Sequence, residues 1–215
     1  MLVDDHPIVR QALKDLLEKE VGFEIIAEAS DGEEAVDLAA KLTPTVVIMD
    51  IGIPKLNGFE ATRRIKVISP DTIVLVLTVH DDIAHILGML EAGADGYLTK
   101  TVLVQEIVQA IRSVVTGEAV LSPQIFRQVV RYALKNVTKP YVFSDGAKIT
   151  TRELEIIKLL AKSRSNKQIA KELNIGLGSV KSHLVDVFTK LNAVSRTEAV
   201  IKGLRAGFLN LSDLD

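Results

Sequence analysis

The first half of the chain alternates short apolar runs with longer stretches in which apolar residues return every three to four positions. The runs Leu2–Asp4, Glu24–Glu28, Val46–Asp50, Ile73–Thr78 and Gly96–Leu98 predict strands. Residues 9–20, 33–42, 58–68, 82–93 and 102–115 carry helical periodicity. Strands that alternate with helices predict βαβ units and a doubly wound, five-stranded parallel sheet. The stretches VVIM and IVLVL are apolar at successive positions, which fits strands covered on both faces. In such a sheet, ligands bind at the carboxyl ends of the strands.

Past Gly117 the pattern changes. Ser122 as N-cap and Pro123 at the first helical position open a helix running to about 134. Residues 136–148, with Pro140 and the pair Asp145-Gly146, read as a linker. Helical segments follow at 151–162, 166–173, 177–191 and 196–206 with no strand between them. The expected division is a domain at 1–116, a connection at 117–147 and a small all-α domain at 148–215.

Charge sharpens that division. The net charge of −2 conceals 10 Lys+Arg against 19 Asp+Glu in residues 1–116, but 12 against 7 in residues 148–215. A basic domain joined to an acidic one suggests a polyanionic partner for the second. The chain has no cysteine, which excludes disulfides and thiolate metal sites. Its longest uncharged apolar run, at 72–79, falls well short of the ~18 residues that span a bilayer. The start MLVDDHP is charged within five residues, unlike a signal peptide. The expectation is a soluble cytoplasmic protein with no membrane partner.

Placing polar residues on this scaffold brings out a site. Asp4 and Asp5 end strand one, Asp50 ends strand three, Thr78 ends strand four, and Lys100 lies just past strand five. All five converge on one edge of the sheet. Three crowded carboxylates repel unless a cation holds them, and a hard ion such as Mg²⁺ takes oxygen ligands of this kind. A carboxylate nucleophile beside such an ion, with a hydroxyl and an ammonium nearby, is equipped for phosphoryl transfer to aspartate.

The strings LVDDHP (2–7), VVIMDIGIPKLNG (46–58), VLTVH (76–80) and AGADGYLTK (92–100) resemble the receiver domain of the NarL/FixJ response regulators over essentially all of residues 1–116. The resemblance implies a flavodoxin-like sheet of order 2-1-3-4-5, with Asp50 accepting a phosphoryl group from a sensor histidine kinase. It further implies that Asp5, Asp50 and the Gly52 carbonyl hold Mg²⁺, with Asp4 acting through a metal-bound water. Thr78 would hydrogen-bond the phosphoryl group, Lys100 would pair with it, and Tyr97 would reorient as Thr78 is drawn in. Pro54 and Gly58 would shape the following loop, Gly58 through its backbone conformation.

Some positions depart from that pattern. The family usually has several more residues before LVDD, so strand one is expected to be short, consistent with a start placed late. Gly52 stands where a polar side chain is common. Val79 is bulkier than the usual Ala or Gly and is expected to restrict access to Asp50. Thr101 replaces a frequent proline.

In the basic domain, residues 165–191 read as helix, tight turn, helix, with the motif proper at about 166–185. Asn174 suits a left-handed helix end. Val180, Leu184, Val187, Phe188 and Leu191 form a buried stripe, which leaves Lys181, Ser182 and Val185 on the opposite face. A recognition helix presents such N-terminal side chains to base edges. A plain three-helix bundle fits the same periodicity.

Residues 149–175 and 180–200 resemble the LuxR-type helix-turn-helix. That resemblance implies double-stranded DNA as partner, base contacts from Lys181, Ser182 and Val185, and phosphate contacts from His183, Lys167, Lys190 and Arg196. Glu153 would be structural, and the last helix would be the interface of a homodimer formed on DNA or on phosphorylation. Gly176 stands in place of the usual Ser or Thr cap, and Gly178 adds a second flexible position.

The whole reads as a regulator of transcription and not as an enzyme. Two alternatives stay open: a phosphohydrolase using Asp50, which lacks a second acid at Gly52, and a receiver that is no longer phosphorylated. The acidic domain is also expected to dock on the basic one and cover Lys181 and Lys190.

Overall fold

The computed structural model describes residues 1–80, 82–102, 104–118, 120–135, 149–162, 164–193, 195–210 and 213. The linker read at 136–148 lies outside the described residues. The N-terminal part contains β1 (Leu2–Val3), α1 (Pro7–Leu17), β2 (Glu28–Ala29), α2 (Gly32–Leu42), β3 (Val46–Met49), α3 (Gly58–Ile68) and β4 (Ile73–Thr78). It continues through α4 (Ile83–Glu91), β5 (Gly96–Thr99), α5 (Val104–Val115), β6 (Val120–Leu121) and α6 (Pro123–Lys135). The C-terminal part holds α7 (Thr151–Ala161), α8 (Asn166–Glu172), α9 (Leu177–Lys190) and α10 (Arg196–Arg205).

The sheet is parallel throughout, in the order β2-β1-β3-β4-β5-β6. Its first five strands follow the expected order. The sixth, β6, pairs Val120 with Gly96 and Leu121 with Tyr97, so the connection contributes a strand that was not expected. A second difference is β2, expected from Glu24 but formed only at Glu28–Ala29. The register Leu2↔Glu28 sets 24–26 beyond the end of β1, so they have no neighbour there to pair with. Short as it is, β1 is tied on both sides, by Asp4 N to Ala29 O and by Asp50 N to Val3 O. Those bonds place Asp4 and Asp50 side by side.

Alternate side chains of each strand enter different cores. Val3, Val47, Met49, Val74, Val76 and Tyr97 pack on the face of α2, α3 and α4. Leu2, Ile48, Leu75, Leu77 and Leu98 pack with Leu13, Leu17, Ile107 and Ile111 of α1 and α5. This explains the unbroken apolar runs, each full burial contributing roughly 1.5–3 kcal/mol. Helices α2 and α3 start on polar caps: Asp31 accepts from Glu34 N–H, and Asn57 from Glu60 N–H.

The C-terminal helices bury their own cluster of Ile156, Leu160, Ile169, Val180 and Leu184. Capping boxes, Thr150 with Glu153 and Ser165 with Gln168, open α7 and α8. Asn174 ends the turn into α9 at φ +52°.

Candidate functional site

Four of the five expected groups meet closely at the carboxyl edge of the sheet. Lys100 Nζ lies 2.6 Å from Asp4 Oδ2 and 2.6 Å from Asp50 Oδ2. Asp50 Oδ1 accepts the Ile51 N–H at 2.7 Å, and the Thr78 hydroxyl stands at the end of the neighbouring strand β4. Asp4 and Asp50 are buried and Thr78 is fully so. Burial alone would raise the Asp50 pKa, but the Lys100 ammonium, the Thr78 hydroxyl and the Ile51 amide together outweigh it and hold it below the usual carboxylate value. Asp50 is therefore ionised at neutral pH, as a nucleophile must be.

The edge can also take a cation. Asp4, Asp5, His6 and Asp50 each offer a ligand atom within 4.8 Å of the others. Asp5 Oδ1 is shielded from solvent and has no hydrogen bond. It does lie 2.6 Å from His6 Nδ1, but that approach lacks hydrogen-bond geometry, so the oxygen retains a free lone pair. Three carboxylates and a shielded, unsatisfied oxygen suit a hard divalent ion. His6 was not singled out from the sequence; its signal was a histidine directly after the Asp4-Asp5 pair. Gly52 lies on the exposed loop two residues past Asp50. Val79 is 70% exposed.

Gly58 is needed for a different reason than expected. Its φ is unexceptional, but a Cβ there would stand 2.5 Å from Asp50 O and 2.8 Å from Ile51 Cα. The start of α3 presses on the phosphoacceptor's own backbone, so only glycine fits. Pro54 accepts the Gly32 N–H through its carbonyl, and Lys55, at φ +60°, pairs with Asp31 at 2.6 Å.

Behind the site, Tyr97 is fully buried and donates its hydroxyl to His80 O at 2.7 Å. His80 N donates to Thr78 Oγ1 at 3.4 Å. The backbone of His80 thus joins Thr78 and Tyr97, the two residues expected to switch together.

On α9, Lys181 and Ser182 are exposed, Val185 is 65% exposed and His183 is half-buried. Lys167 on α8 is exposed. Two expected phosphate contacts are engaged elsewhere. Lys190 Nζ lies 2.7 Å from both oxygens of the buried Glu153, tying α9 to the start of α7. Arg196 is buried, with its guanidinium donating to Arg164 O and to Asn166 Oδ1. Burial lowers the Arg196 pKa to about 10, with Glu118 partly opposing it, so the group stays charged but faces protein.

The start of α9 is open. Gly176 caps it without a side-chain hydrogen bond, and a Cβ on the helical Gly178 would meet nothing within 4 Å. Gly178→Ala is therefore expected to stabilise the C-terminal domain by about 0.4–1 kcal/mol, through lower entropy of the unfolded chain. Urea unfolding measures this, and a destabilised variant would show that the helix does not begin there in solution.

Residues 1–112 match the family model of the response regulator receiver domain, and residues 147–202 that of the bacterial regulatory proteins, luxR family. The chain belongs to the response regulators with a LuxR-type DNA-binding domain. It is 34% identical over 223 residues to transcriptional regulatory protein DegU of Brevibacillus brevis, covering 98% of this chain and 94% of that one. It is 37% identical over 213 residues to transcriptional regulatory protein LiaR of Bacillus subtilis (strain 168), covering 98% of each. The crystal structure of response regulator ChrA of a heme-sensing two-component system aligns with a TM-score of 0.51 at 33% identity, covering 97% of both chains. The family regulates transcription and is not a family of enzymes, which sets the phosphohydrolase alternative aside. Among the described residues, no helix is long and apolar enough to cross a membrane.

In this response regulator the receiver does not cover the recognition face, contrary to expectation. Lys181 is exposed, and Lys190 pairs with Glu153 of its own domain. What the receiver covers is α10. Thr197 Oγ1 donates to Asp95 O at 3.2 Å, and Ile201 is buried in the receiver's own core cluster with Ile125 and Val129 of α6. Ala199 and Leu204 of the same helix pack into the C-terminal domain. Helix α10 is therefore shared between the two domains. Bulk charge did not reveal this, because the contact is mainly apolar.

Proposed function

We propose that Asp50 accepts a phosphoryl group from a sensor histidine kinase, and that this controls sequence-specific DNA binding by α9. The observation that carries the reading is the ionised, buried Asp50 carboxylate with Lys100 directly on it and Thr78 at the end of the adjacent strand. Asp50 supplies the oxygen that forms the new P–O bond, while the donor's bond to phosphorus breaks and its electron pair leaves with the donor. Lys100 balances charge on the incoming phosphoryl oxygens. Thr78, whose hydroxyl oxygen now accepts from His80 N–H, is placed to turn to a phosphoryl oxygen. Asp4, Asp5, Asp50 and the Gly52 carbonyl would hold Mg²⁺, which supplies charge neutralisation for the phosphoryl group. The protein would act in the cytoplasm and bind DNA as a homodimer through α10, with Lys181, Ser182 and Val185 reading bases and Lys167 and His183 contacting phosphates.

The test is phosphate incorporation from a small phosphodonor with Mg²⁺, followed by genome-wide footprinting of the phosphorylated and unphosphorylated protein. A receiver that takes up no phosphate, with identical footprints in both states, would leave the non-phosphorylated reading instead.

Within that reading, Lys181→Ala is expected to cost roughly 1–3 kcal/mol and to relax preference at one base pair, since it removes a base-edge donor. Lys167→Ala should weaken all sequences alike and reduce the salt slope by about one counterion. Uniform losses from both variants would move Lys181 to the phosphates. Lys190→Ala is a poor probe of DNA contact, because it leaves the buried Glu153 carboxylate unpaired.

A further inference from the structure

Just past the phosphoacceptor edge stands a cluster that the proposed function does not use. His80 precedes α4, Asp82 caps it and His85 lies in its first turn. The two imidazoles are stacked, with centroids 4.5 Å apart and planes 12° from parallel. Asp82 Oδ2 is 2.5 Å from His85 Nδ1, while Asp82 Oδ1 takes the His85 backbone N–H at 3.2 Å. One ligand atom from each of the three residues lies within 4.8 Å of the other two. Helix capping accounts for Oδ1 alone; it does not require two ring nitrogens and a second carboxylate oxygen to converge.

We propose that His80, Asp82 and His85 form a reversible site for a borderline transition-metal dication, with Zn²⁺ as the reference ion, that clamps the loop after Thr78 onto α4. The donor set is two imidazoles and one carboxylate, which suits Zn²⁺, Ni²⁺ or Cu²⁺ and not the hard Mg²⁺. Zinc bonds of about 2.0–2.2 Å place neighbouring ligand atoms roughly 3.3 Å apart, so rotation of the half-exposed side chains closes the cluster on the ion. Three protein ligands leave a fourth position to water, and the site is open to solvent on the side of Asp82, whose side chain is 53% exposed. Such a site exchanges its metal.

Its placement gives the ion a consequence, which rests on the phosphorylation reading above. The backbone of His80 donates to Thr78 Oγ1 and accepts from Tyr97 OH. Turning Thr78 to a phosphoryl oxygen breaks the first of these bonds and frees the loop. A metal bridging His80 to His85 fixes that loop to α4 and so holds the unphosphorylated arrangement.

The test titrates the full-length protein with Zn²⁺ against a chromophoric chelator, and with Co²⁺ to read the ligand-field bands of a low-coordinate nitrogen–oxygen site. Expected is a site, separate from the acidic edge, whose affinity falls on the order of tenfold or more in His80→Gln and in His85→Gln. His6→Gln and Asp5→Asn, at the other cluster, should leave it unchanged. Equal affinities for wild type and His85→Gln, or a loss that follows His6→Gln, would overturn the site. Asp50→Asn separates the two readings: it should keep the Zn²⁺ site even though it takes up no phosphate. Zn²⁺ should slow phosphate uptake from a small phosphodonor in wild type but not in His85→Gln. Uptake indifferent to Zn²⁺ in wild type that does bind the ion would overturn the coupling to Thr78.

Discussion

Asp50→Asn is expected to abolish phosphate incorporation completely while leaving the receiver folded. An amide cannot supply the anionic oxygen that forms the acyl phosphate. The amide is close in shape to the carboxylate, so the Ile51 N–H can still donate to its oxygen. The stability effect has a definite sign. Because the folded pKa of Asp50 is depressed, its ionised form contributes stability above the unfolded carboxylate pKa of about 3.9, and that contribution disappears as pH falls through the folded value. The Asn variant should lack this part of the acid limb. At neutral pH the variant should also gain less from Mg²⁺, because one of the ion's carboxylates is gone and ligand binding stabilises only in proportion to its affinity. Mass spectrometry after exposure to a small phosphodonor, with urea unfolding in the presence and absence of Mg²⁺, measures both. A stably phosphorylated Asn variant would place the phosphoacceptor elsewhere.

Much of this site was legible because its residues end strands, and strand ends follow from where an apolar run stops. For β4 the run stops at Thr78, and the observed strand, Ile73–Thr78, has the expected bounds. Other features depend on what a neighbour does. The residues from Glu24 have strand character, but pairing requires a partner, and β1 offers only Leu2 and Val3. The two residues of β6 are too few to carry a period, and only docking beside β5 makes them a strand. Lysines on a helix look alike in sequence; that Lys190 serves Glu153 depends on how α9 crosses α7. The resemblance implies a phosphate contact for Arg196, yet it is buried and turned to Arg164 O and Asn166 Oδ1. Gly58 was recognisable as constrained, but steric contact with Asp50 O, rather than φ, is the constraint. The chemistry of single residues was therefore easier to read than their partners.

A fragment of residues 137–215 is expected to bind a selected DNA site about 10–100-fold more tightly than the unphosphorylated full-length protein, because the receiver holds α10 in a shared interface. A competent fraction of roughly 0.1 to 0.01 produces that difference, which corresponds to a docking free energy of about 1.4–2.7 kcal/mol. The contacts are of that size. Ile201 is 5% exposed and packs with Ile125 and Val129, and burying such a side chain contributes about 1.5–3 kcal/mol. The Thr197 hydroxyl on Asp95 O adds about 0.5–1.5 kcal/mol. Phosphorylation cannot release α10 through bulk charge, since it adds only about one negative charge once the ionised Asp50 is counted. The path must run through structure: Thr78 leaves His80, the loop into α4 loosens, and α4 packs directly against α6 and α10. Thr78→Ala should therefore accept phosphate yet stay at the affinity of the unphosphorylated protein. Ile201→Ala in the full-length chain should raise hydrogen exchange along α10 without phosphorylation, which reads undocking independently of any part α10 plays in a dimer. Equal DNA affinities for the fragment and the unphosphorylated full-length protein would mean that docking of α10 is not inhibitory, and phosphorylation-driven dimerisation would then be the better account of control.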